Sequence, residues 1–389
     1  MRSDKRGWVG IISLIASIIA IFVFLTGWEN VLDVFSGASG LLTGPTPLPQ
    51  DQLPTSEPIV VSPILTYGPD STSTLPTSSW TNLGLNAEPI SDISTSQGVI
   101  YVATFGAGHG IFKSEDLGTT WYAINNGLES LDIILIEASP NNSDLLYSAS
   151  NSGGIWRSED GGATWVNVNP KEYCGTPIGL ALGSEDGNTI YWLSCNGDFS
   201  VSTNKGKDWK ESYCWPTCTL GLLRNSPADR SHFYSFRKEY RFSLTDPNTD
   251  SLLLRFSPED DKWYPLADVG SGLLIVELDV SYQDPRFLLV ATEENGIYRS
   301  QDGGGSWSPI NNSLPGQGNE LICTDAKFSP WDSASIFAVC NGQAYQSKDL
   351  GANWSLLPGL TDISILAMMT GPEYLLAAAA TSLHGLETP

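Results

Sequence analysis

Residues 155–165 read IWRSEDGGATW, and this stretch decides the fold because variants of it recur along the chain. The shared pattern is Ser-x-Asp-x-Gly-x-x-Trp, and a short run rich in apolar residues precedes it. Recurrence at a fixed period of roughly 20–50 residues is typical of architectures built from repeated units. The sequence therefore predicts a repeat domain.

Six versions of the pattern can be aligned, and four of them are complete. The complete copies are Ser114, Asp116, Gly118, Trp121; Ser158, Asp160, Gly162, Trp165; Ser300, Asp302, Gly304, Trp307; and Ser347, Asp349, Gly351, Trp354. A fifth copy, from Ser202 to Trp209, has Asn204 in place of the Asp. The sixth, ending at Trp263, is eroded further and lacks the glycine.

Each motif is predicted to form a hairpin turn, because short β-rich runs flank it. Its Asp carboxylate can accept hydrogen bonds from backbone N–H groups of the turn, and its glycine can adopt the positive φ that a tight turn needs. Its tryptophan suits the apolar layer between neighbouring sheets. We therefore interpret the motif residues as structural.

The end of the chain indicates how the repeats close. After Trp354 three strands are expected, at residues 363–368, at 374–380 and near Leu386, and a fourth is missing. Residues 79–83 resemble the strand that follows a motif, so they are predicted to complete the last repeat and remove the exposed sheet edges. Seven four-stranded blades result, with six or eight as alternatives.

The motif resembles the Asp box, or bacterial neuraminidase repeat, of sialidases, sortilins, xyloglucanases and photosystem II assembly propellers. The resemblance covers residues 79–389 and implies an all-β, seven-bladed β-propeller. A long interval between Trp209 and Trp263 indicates an insertion within residues 236–251 of the fourth blade. In the enzymes that carry them, such boxes lie away from the reaction centre, so the resemblance implies little about activity.

The N-terminal segment has the pattern of a membrane anchor. Basic residues in 1–7 precede an apolar segment, residues 8–28, that is long enough to cross a bilayer as a helix. The positive-inside rule places the N-terminus in the cytoplasm and the propeller outside the cell. A cleaved signal peptide is the alternative. Residues 29–78 are rich in Pro, Ser and Thr and are expected to form a disordered stalk.

Charge and cysteine content narrow the function. The chain has 43 acidic against 20 basic residues, a net charge of −23, which argues against nucleic-acid binding. The six cysteines occupy matched positions in the repeats or lie close together, which supports an oxidising compartment. No CxxC pair or nearby His favours zinc, so neither a metal nor another cofactor is expected. The predicted disulfides are Cys174–Cys195, Cys214–Cys218 and Cys323–Cys340.

Candidate ligand-binding residues follow from the propeller interpretation. Ligands usually meet the face formed by the loops between blades and between the second and third strands, opposite the motif turns. The candidates are Asp92, His109, Asp132, Glu172, Asp198, Glu293, Glu294, Glu320, Asp362 and His384. The alternative interpretation of the acidic residues is a solvated acidic rim.

Non-catalytic binding is the preferred function: a membrane-anchored scaffold that presents its loops to a protein or glycan partner. The alternative is a glycoside hydrolase, in which Asp132 and Asp198 would be the catalytic carboxylates. A xyloglucanase-like enzyme carries two such propellers, whereas this chain has one. A sialidase needs three substrate-binding arginines and six blades, which this sequence does not match.

Two weaker hypotheses concern individual residues. His109 and His384 are each followed by Gly and an apolar residue, so they are aligned at one repeat position in the first and seventh blades, which ring closure makes neighbours. Residues 237–241, RKEYR, form the one basic cluster of the domain and fall in the inserted blade. The simpler interpretations are two unrelated loop histidines and a charged strand surface.

Overall fold

The computed structural model of the chain describes its repeat domain, with gaps in several loops. The described residues are 59–60, 80–86, 88–106, 108–169, 177–183, 186–194, 199–212, 220–226, 229–237, 252–270, 273–369, 374–379 and 382–387. The predicted N-terminus, membrane helix and most of the stalk lie outside them. No helix within the described ranges is long and apolar enough to span a membrane.

Seven antiparallel sheets form the blades of a β-propeller. Two short strands come first, β1 (Ile59–Val60) and β2 (Thr81–Asn82). Blades 1 to 3 contain β3 (Ile90–Ser96), β4 (Val99–Thr104), β5 (Ile111–Ser114), β6 (Thr120–Ala123), β7 (Ile133–Ser139), β8 (Asn142–Ser150), β9 (Ile155–Ser158), β10 (Val166–Asn167), β11 (Pro177–Leu182), β12 (Ile190–Ser194), β13 (Phe199–Ser202) and β14 (Lys210–Ser212).

The remaining blades follow the same order of strands. They contain β15 (Leu220–Ser226), β16 (Asp229–Arg237), β17 (Leu252–Ser257), β18 (Lys262–Pro265), β19 (Ile275–Val280), β20 (Leu288–Thr292), β21 (Ile297–Ser300), β22 (Ser308–Pro309), β23 (Cys323–Phe328), β24 (Ile336–Cys340), β25 (Gln343–Ser347), β26 (Ser355–Leu356), β27 (Ile363–Met369), β28 (Tyr374–Ala379) and β29 (Ser382–Glu387). A 3₁₀ turn, Gly318–Glu320, precedes β23.

The ring closes as the sequence predicts. The innermost strand of each blade contacts those of its two neighbours, and β27 contacts β3. Strand β2 pairs with β29, with Thr81 opposite Gly385 and Asn82 opposite His384, and so supplies the fourth strand of blade 7. Trp80 packs against the apolar cluster that contains Leu386. The seven-bladed propeller is therefore confirmed.

Apolar layers between adjacent sheets hold the ring together. The second strands are deeply buried in the described chain, and β20 and β24 are buried at every residue. The two faces of one sheet pack into different clusters, one shared with each neighbouring blade. This arrangement explains why the second strands are continuous apolar runs rather than alternating ones.

Strand β1 lies within the segment that the sequence assigns to the stalk. Ile59 pairs with Trp121 and Val60 with Thr120, which makes β1 a fifth strand on the outer edge of blade 1. The other stalk residues, 29–58 and 61–78, lie outside the described ranges.

Candidate functional site

The propeller has two chemically different faces. At one, which we call the loop face, the loops that enter each first strand bond to those between second and third strands, as in Asn151 N–H to Asp132 O at 2.9 Å. At the other, the motif face, the motif turns bond to the turns between first and second strands, as in Gly303 N–H to Arg286 O at 2.9 Å. The predicted ligand-binding residues can therefore be assigned to a face.

The motif turns are closed by their own side chains. In the second copy the Ser158 hydroxyl accepts the Gly162 N–H at 2.8 Å and donates to an Asp160 carboxylate oxygen at 2.7 Å. The same carboxylate accepts the N–H and hydroxyl of Thr164. Because each of these carboxylates is used within its own turn, the motif face offers no free reactive group at these positions.

Around the junction of blades 1 and 2, two predicted residues lie on the loop face. The Asp132 carboxylate accepts the Gly106 N–H at 3.0 Å. This bond connects the loop before blade 2 to the loop between β4 and β5 of blade 1. The His109 ring contacts the Glu88 carboxylate through its Nδ1 atom, and the imidazole is half exposed. Glu88 was not among the predicted residues, although it immediately precedes the first strand of blade 1.

Around blades 5 to 7, four more predicted residues lie on the same face. Glu293 and Glu294 belong to the loop between β20 and β21, and Glu320 ends the 3₁₀ turn before β23. Asp362 immediately precedes β27, and its backbone approaches Gly342 of the loop between β24 and β25. These four residues therefore lie in loops of the loop face.

Asp92 and His384 are corrections to the predicted site. Asp92 lies within β3, the innermost strand of blade 1, where its carboxylate accepts the Ile136 N–H of blade 2 at 2.9 Å. His384 lies within β29, opposite Ala377, and is half-buried. Neither is a loop residue.

The proposed equivalence of the two histidines is also wrong. Strand pairing places Ile111 opposite Ala103 in blade 1, and Leu383 opposite Ala378 at the matching position of blade 7. His384 therefore corresponds to Phe112, which lies inside a strand, rather than to His109 in a loop. The two His-Gly pairs have similar sequences but different positions in the register.

Several predicted residues lie outside the described ranges. These are Glu172, Asp198, the four cysteines Cys174, Cys195, Cys214 and Cys218, and the basic residues 238–241. Arg237 ends β16 at the loop-face end of blade 4. The insertion predicted in the fourth blade begins there, between β16 and β17.

The described loops of the loop face carry only acidic charges, whereas the described turns of the motif face carry both acidic and basic residues. None of the described loops on the loop face contains Lys or Arg. The acidic residues of these loops are Glu88, Glu129, Asp132, Asp268, Glu293, Glu294, Glu320 and Asp362. On the motif face, the described turns contain Lys205, Lys207, Arg286 and Lys348 together with acidic residues, among them Glu115, Glu159, Glu259 and Asp284.

Basic side chains also serve as links between blades near the motif face. Arg157 of β9 donates to the Lys205 carbonyl in the motif turn of blade 3 at 2.5 Å and pairs with Glu159 at 3.1 Å. Arg299 of β21 donates to the Leu350 carbonyl in the motif turn of blade 6. The two arginines are therefore held within the ring and are not available to bind a sugar carboxylate.

A cluster of charged side chains on the innermost strands, the axial cluster, was not predicted. Arg224 of β15 pairs with Glu277 of β19 at 3.0 Å. Lys327 of β23 is 3.4 Å from both Glu277 and Asp325. Three successive blades are therefore joined by ion pairs close to the propeller axis. Aligning the first strands by their bulges would have placed these residues at neighbouring positions.

Burial and ion pairing act in opposite directions within the axial cluster. Burial alone would raise the pKa of Glu277, but Arg224 and Lys327 outweigh it and hold this pKa below its ordinary value. Burial raises the pKa of Asp92, because its backbone hydrogen bonds offset the desolvation only in part. The same holds for Asp279, whose carboxylate accepts the Phe328 N–H at 2.8 Å.

The predicted disulfide Cys323–Cys340 is present. These residues lie opposite each other, at the start of β23 and the end of β24, and both are fully buried. Among the described residues no group of three or more His, Cys, Asp or Glu side chains is placed to hold a metal ion.

A repeated asparagine was missed in the sequence. Asn125, Asn169 and Asn311 each follow a motif tryptophan by four positions, and each side-chain oxygen accepts the first N–H of a third strand, at 2.5 to 2.8 Å. Asn311 also donates to the Asn295 carbonyl at 2.8 Å. This bond fixes the loop between second and third strands on the loop face. The regular spacing was the signal that could have revealed it.

Comparison with known proteins identifies the fold. No protein-family profile matches the sequence, and no curated protein sequence matches it significantly. Among solved structures, the chain resembles "YCF48 bound to D1 peptide", with a TM-score of 0.60, 13% identity, and 82% of this chain and 98% of that one covered. It also resembles YCF48 from Cyanidioschyzon merolae, with a TM-score of 0.62, 17% identity, and 80% and 99% covered.

A glycoside hydrolase shares the same architecture. The GH74 xyloglucanase from Xanthomonas campestris aligns with a TM-score of 0.54 and 18% identity. The alignment covers 75% of this chain but 51% of the enzyme, so this chain spans about half of the enzyme's length. At these identities the similarity extends to the fold alone: the chain is a seven-bladed β-propeller with structural neighbours among the YCF48 proteins and the GH74 xyloglucanases.

Proposed function

We propose that the protein is a non-catalytic binding propeller whose loop face holds a protein partner with a basic surface. One observation carries this proposal: in the described loops, the acidic residues of the loop face have no Lys or Arg among them. An acidic face of this kind attracts cationic surfaces and repels anionic ones. The described turns of the opposite face mix acidic residues with Lys and Arg, so within the described residues only the loop face presents carboxylates that have no Lys or Arg among them.

The construction of the loop face supports binding. Its loops are tied to each other by backbone hydrogen bonds, such as Asn295 N–H to Gly318 O at 3.1 Å and Glu293 N–H to Leu274 O at 2.9 Å. Loops that are already fixed lose little conformational entropy when a partner binds. A ring of blades therefore presents a preorganised surface.

A protein with a similar fold is found in complex with a peptide. One of the structural neighbours is a YCF48 protein bound to a D1 peptide. The present proposal borrows only the class of ligand, a polypeptide, from that complex. The basic character of the partner rests on the charge of this chain.

The proposed setting is outside the cell, with residues 8–28 as a membrane anchor. The Cys323–Cys340 disulfide supports an oxidising compartment, because disulfides rarely persist in the cytosol. The apolar segment and its basic flank support the anchor. Separation of membrane and soluble fractions, followed by protease treatment of intact cells, tests both parts of this placement.

A direct test uses an oligolysine probe and charge reversal on each face. The full-length chain, in a mild non-ionic detergent, is titrated into a fluorescent ten-residue lysine peptide. We expect binding that weakens with salt and falls about tenfold in Glu294→Lys/Glu320→Lys. The matched control, Glu115→Lys/Glu259→Lys, changes the net charge equally on the motif face and is expected to have a much smaller effect. Equal loss in both variants would refute a directional loop face.

Glycoside hydrolysis is the second candidate, and the GH74 fold similarity is the observation that favours it. Such chemistry needs two carboxylates at a set separation. Asp132 lies on the loop face, where its carboxylate is bonded to the Gly106 N–H. Release of reducing sugar from a β-glucan panel, abolished in Asp132→Asn or Asp198→Asn, would establish the enzyme; an inert protein that binds oligolysine supports the binding function.

A further inference from the structure

We propose that Ile322 is the apolar anchor of the partner-binding surface, and that it receives an apolar side chain flanked by Lys or Arg in the partner. This inference rests on the proposed function and deepens it, because it names a position on the loop face and a sequence class for the ligand. The anchor and its surroundings, the Ile322 patch, consist of Glu293, Glu294, Glu320, Ile322 and Asp362.

Ile322 is exposed where most large apolar residues are buried. Its side chain is 44% exposed, and it precedes β23 on the loop face. The other exposed large apolar residues of the described chain lie elsewhere, in a motif turn or on outer strands; they are Leu117, Val166, Tyr264 and Leu356. What distinguishes Ile322 from the other four is its place among acidic loops, where an apolar contact can be combined with charge complementarity.

The chain holds Ile322 in place more firmly than the fold requires. Its N–H donates to the Asn341 side-chain oxygen at 3.0 Å, and its carbonyl accepts the Asn341 N–H at 2.7 Å. The next residue, Cys323, is bonded covalently to Cys340. Asn341 and Gly342, both with positive φ, form the two-residue hairpin turn that joins β24 to β25.

Other blades hold the same strand positions without a covalent bond. The residues opposite each other are Ile90 and Thr104 in blade 1, and Ile275 and Thr292 in blade 5. In these blades the threonine hydroxyl donates to a loop carbonyl instead, as in Thr104 to Gly110 at 2.9 Å. The propeller therefore forms without a cross-link here, and the disulfide of blade 6 adds rigidity to the segment that carries Ile322.

The acidic residues of the patch lie on loops that are joined to the Ile322 segment. Gly296, in the loop of Glu293 and Glu294, donates its N–H to the Leu321 carbonyl at 3.0 Å. Asn341 donates from its side chain to the Glu320 carbonyl at 3.2 Å. The loop that ends in Asp362 is joined to the same hairpin turn by the hydrogen bond from Ile363 N–H to Gly342 O at 3.2 Å. The patch is therefore one continuous surface across blades 5 to 7.

Charge decides which occupant fits this surface. A second copy of the chain would bring acidic residues against acidic residues, in a protein with a net charge of −23. A basic segment with one central apolar residue matches both features, because cations reach the surrounding carboxylates while the apolar side chain covers Ile322. Long-range attraction then sets the rate of association, and burial of the apolar pair slows release.

The test compares two peptides that differ at one position. Each has four lysines on either side of a central residue, which is Leu in one and Ser in the other, and each is titrated with the full-length chain in detergent. We expect the Leu peptide to bind about fivefold to tenfold more tightly, as burial of an apolar side chain predicts. Ile322→Asp should abolish this difference, while Val166→Asp, an equal change at an exposed site on an outer strand, should leave it intact.

A separate double variant tests whether the disulfide supports the Ile322 anchor. Cys323→Ser/Cys340→Ser should reduce the preference for the Leu peptide at least threefold while binding of the Ser peptide changes less. Thermal unfolding of the same sample verifies that the propeller is still folded. An unchanged preference in a folded variant would show that the cross-link does not support the anchor.

The outcomes separate this inference from the proposed function. If both peptides bind equally and the loop-face charge reversals abolish binding, the basic partner stands and the Ile322 anchor is refuted. If neither peptide binds, the proposed function itself fails. If the chain self-associates in sedimentation and Ile322→Asp makes it monomeric, a second copy occupies the patch and the assignment of a basic partner is overturned.

Discussion

At the scale of single residues, a serine hydroxyl and an aspartate carboxylate determine the motif turn. Ser300 is buried, and its hydroxyl accepts the Gly304 N–H at 2.8 Å while donating to Asp302 at 2.8 Å. The glycine could not be replaced freely, because it has a φ of 88° and a Cβ there would come within 2.7 Å of Leu266. The motif is therefore explained by its own turn and by the neighbouring blade.

Removal of the buried hydroxyl has a predictable cost. Ser300→Ala leaves the Gly304 N–H without its acceptor, so we expect the free energy of unfolding to fall by about 1–3 kcal/mol. Ser308→Ala, an exposed position on β22, is the matched control and should change it by less than about 0.5 kcal/mol. Chemical denaturation measures both. Equal stabilities of the two variants would contradict the role given to the motif serine.

The motif carboxylate predicts a pH dependence. Hydrogen bonds from the Ser306 hydroxyl, the Ser300 hydroxyl and the Ser306 N–H lower the pKa of Asp302 from 3.8 to about 2. Since the folded-state pKa is depressed, the stabilisation is complete above pH 3.8 and is lost as the pH falls toward about 2. A carboxyl titration by NMR should have its midpoint near the lower value. A midpoint at the ordinary value would disprove the bonds.

At the scale of elements, a tryptophan hydrogen bond joins most blades to their neighbours. The Trp121 indole N–H donates to the Leu83 carbonyl at 2.7 Å, and Trp354 donates to the Ile310 carbonyl at 2.6 Å. Trp165, Trp209 and Trp307 bond to the preceding blade in the same way. The regular spacing of these five tryptophans therefore gives five of the blades the same polar contact with the blade before them.

Blades 4 and 7 lack this bond in the described chain: the Trp80 indole N–H of blade 7 has no partner, and the motif of blade 4 is eroded. The Trp263 N–H has no hydrogen-bond partner in the described chain, and its ring packs against Phe199 and Phe256 with centroids 5.2 and 5.1 Å apart. Tyr191 and Phe233 extend this aromatic cluster. Packing between aromatic rings has replaced the polar contact where the turn sequence has drifted.

A pair of substitutions measures the tryptophan hydrogen bond. Trp121 and Trp156 are both almost fully buried, but the Trp156 indole N–H has no acceptor among the described residues. Replacement by Phe removes similar volume in each case, so Trp121→Phe should cost about 1–2 kcal/mol more than Trp156→Phe. Thermal and chemical unfolding provide the comparison. A larger cost at Trp156 would argue that volume, rather than the bond, dominates.

The elements were largely predictable, whereas their exact registers were not. The motif spacing and the apolar runs gave the hairpins, the blade number and the closing strand, because these depend on local periodicity. The misplaced His384 shows the limit: its blade has no motif from which to count, so the sequence does not indicate that His384 lies within β29 rather than in a loop. Asp92 was assigned to a loop because a polar residue within a mostly buried strand gives no sign that a neighbouring blade will bind it.

At the scale of the whole molecule, ion pairs near the axis supplement the apolar layers. Glu277 receives Arg224 and Lys327 from the two neighbouring blades and is nearly buried. The charged residues of this cluster are far apart in the sequence. The sequence alone therefore gives no sign that their side chains meet. The acidic loop face, by contrast, could be predicted once the loops were assigned to one side.

Breaking the axial cluster should destabilise the entire ring. Glu277→Gln leaves two cations without their shared partner, so we expect a loss of about 3 kcal/mol at neutral pH. The pKa of Glu277 is lowered in the folded protein, so its stabilisation is lost as the pH falls, and the variant and the native chain should converge in acid. Glu277→Gln/Lys327→Met should recover part of the loss. An unchanged free energy of unfolding at neutral pH would show that the ion pairs do not stabilise the fold.

Closure of the ring by the N-terminal strand is the central claim, because the loop face exists only if the seven blades form a circle. Asn82 lies opposite His384 across the closing pair. In Asn82→Cys/His384→Cys, mild oxidation followed by peptide mapping should give a direct link between positions 82 and 384, whereas Asn82→Cys/Lys210→Cys should give none. Absence of the first link in the folded protein, or equal yields from both pairs, would contradict a closed seven-bladed propeller.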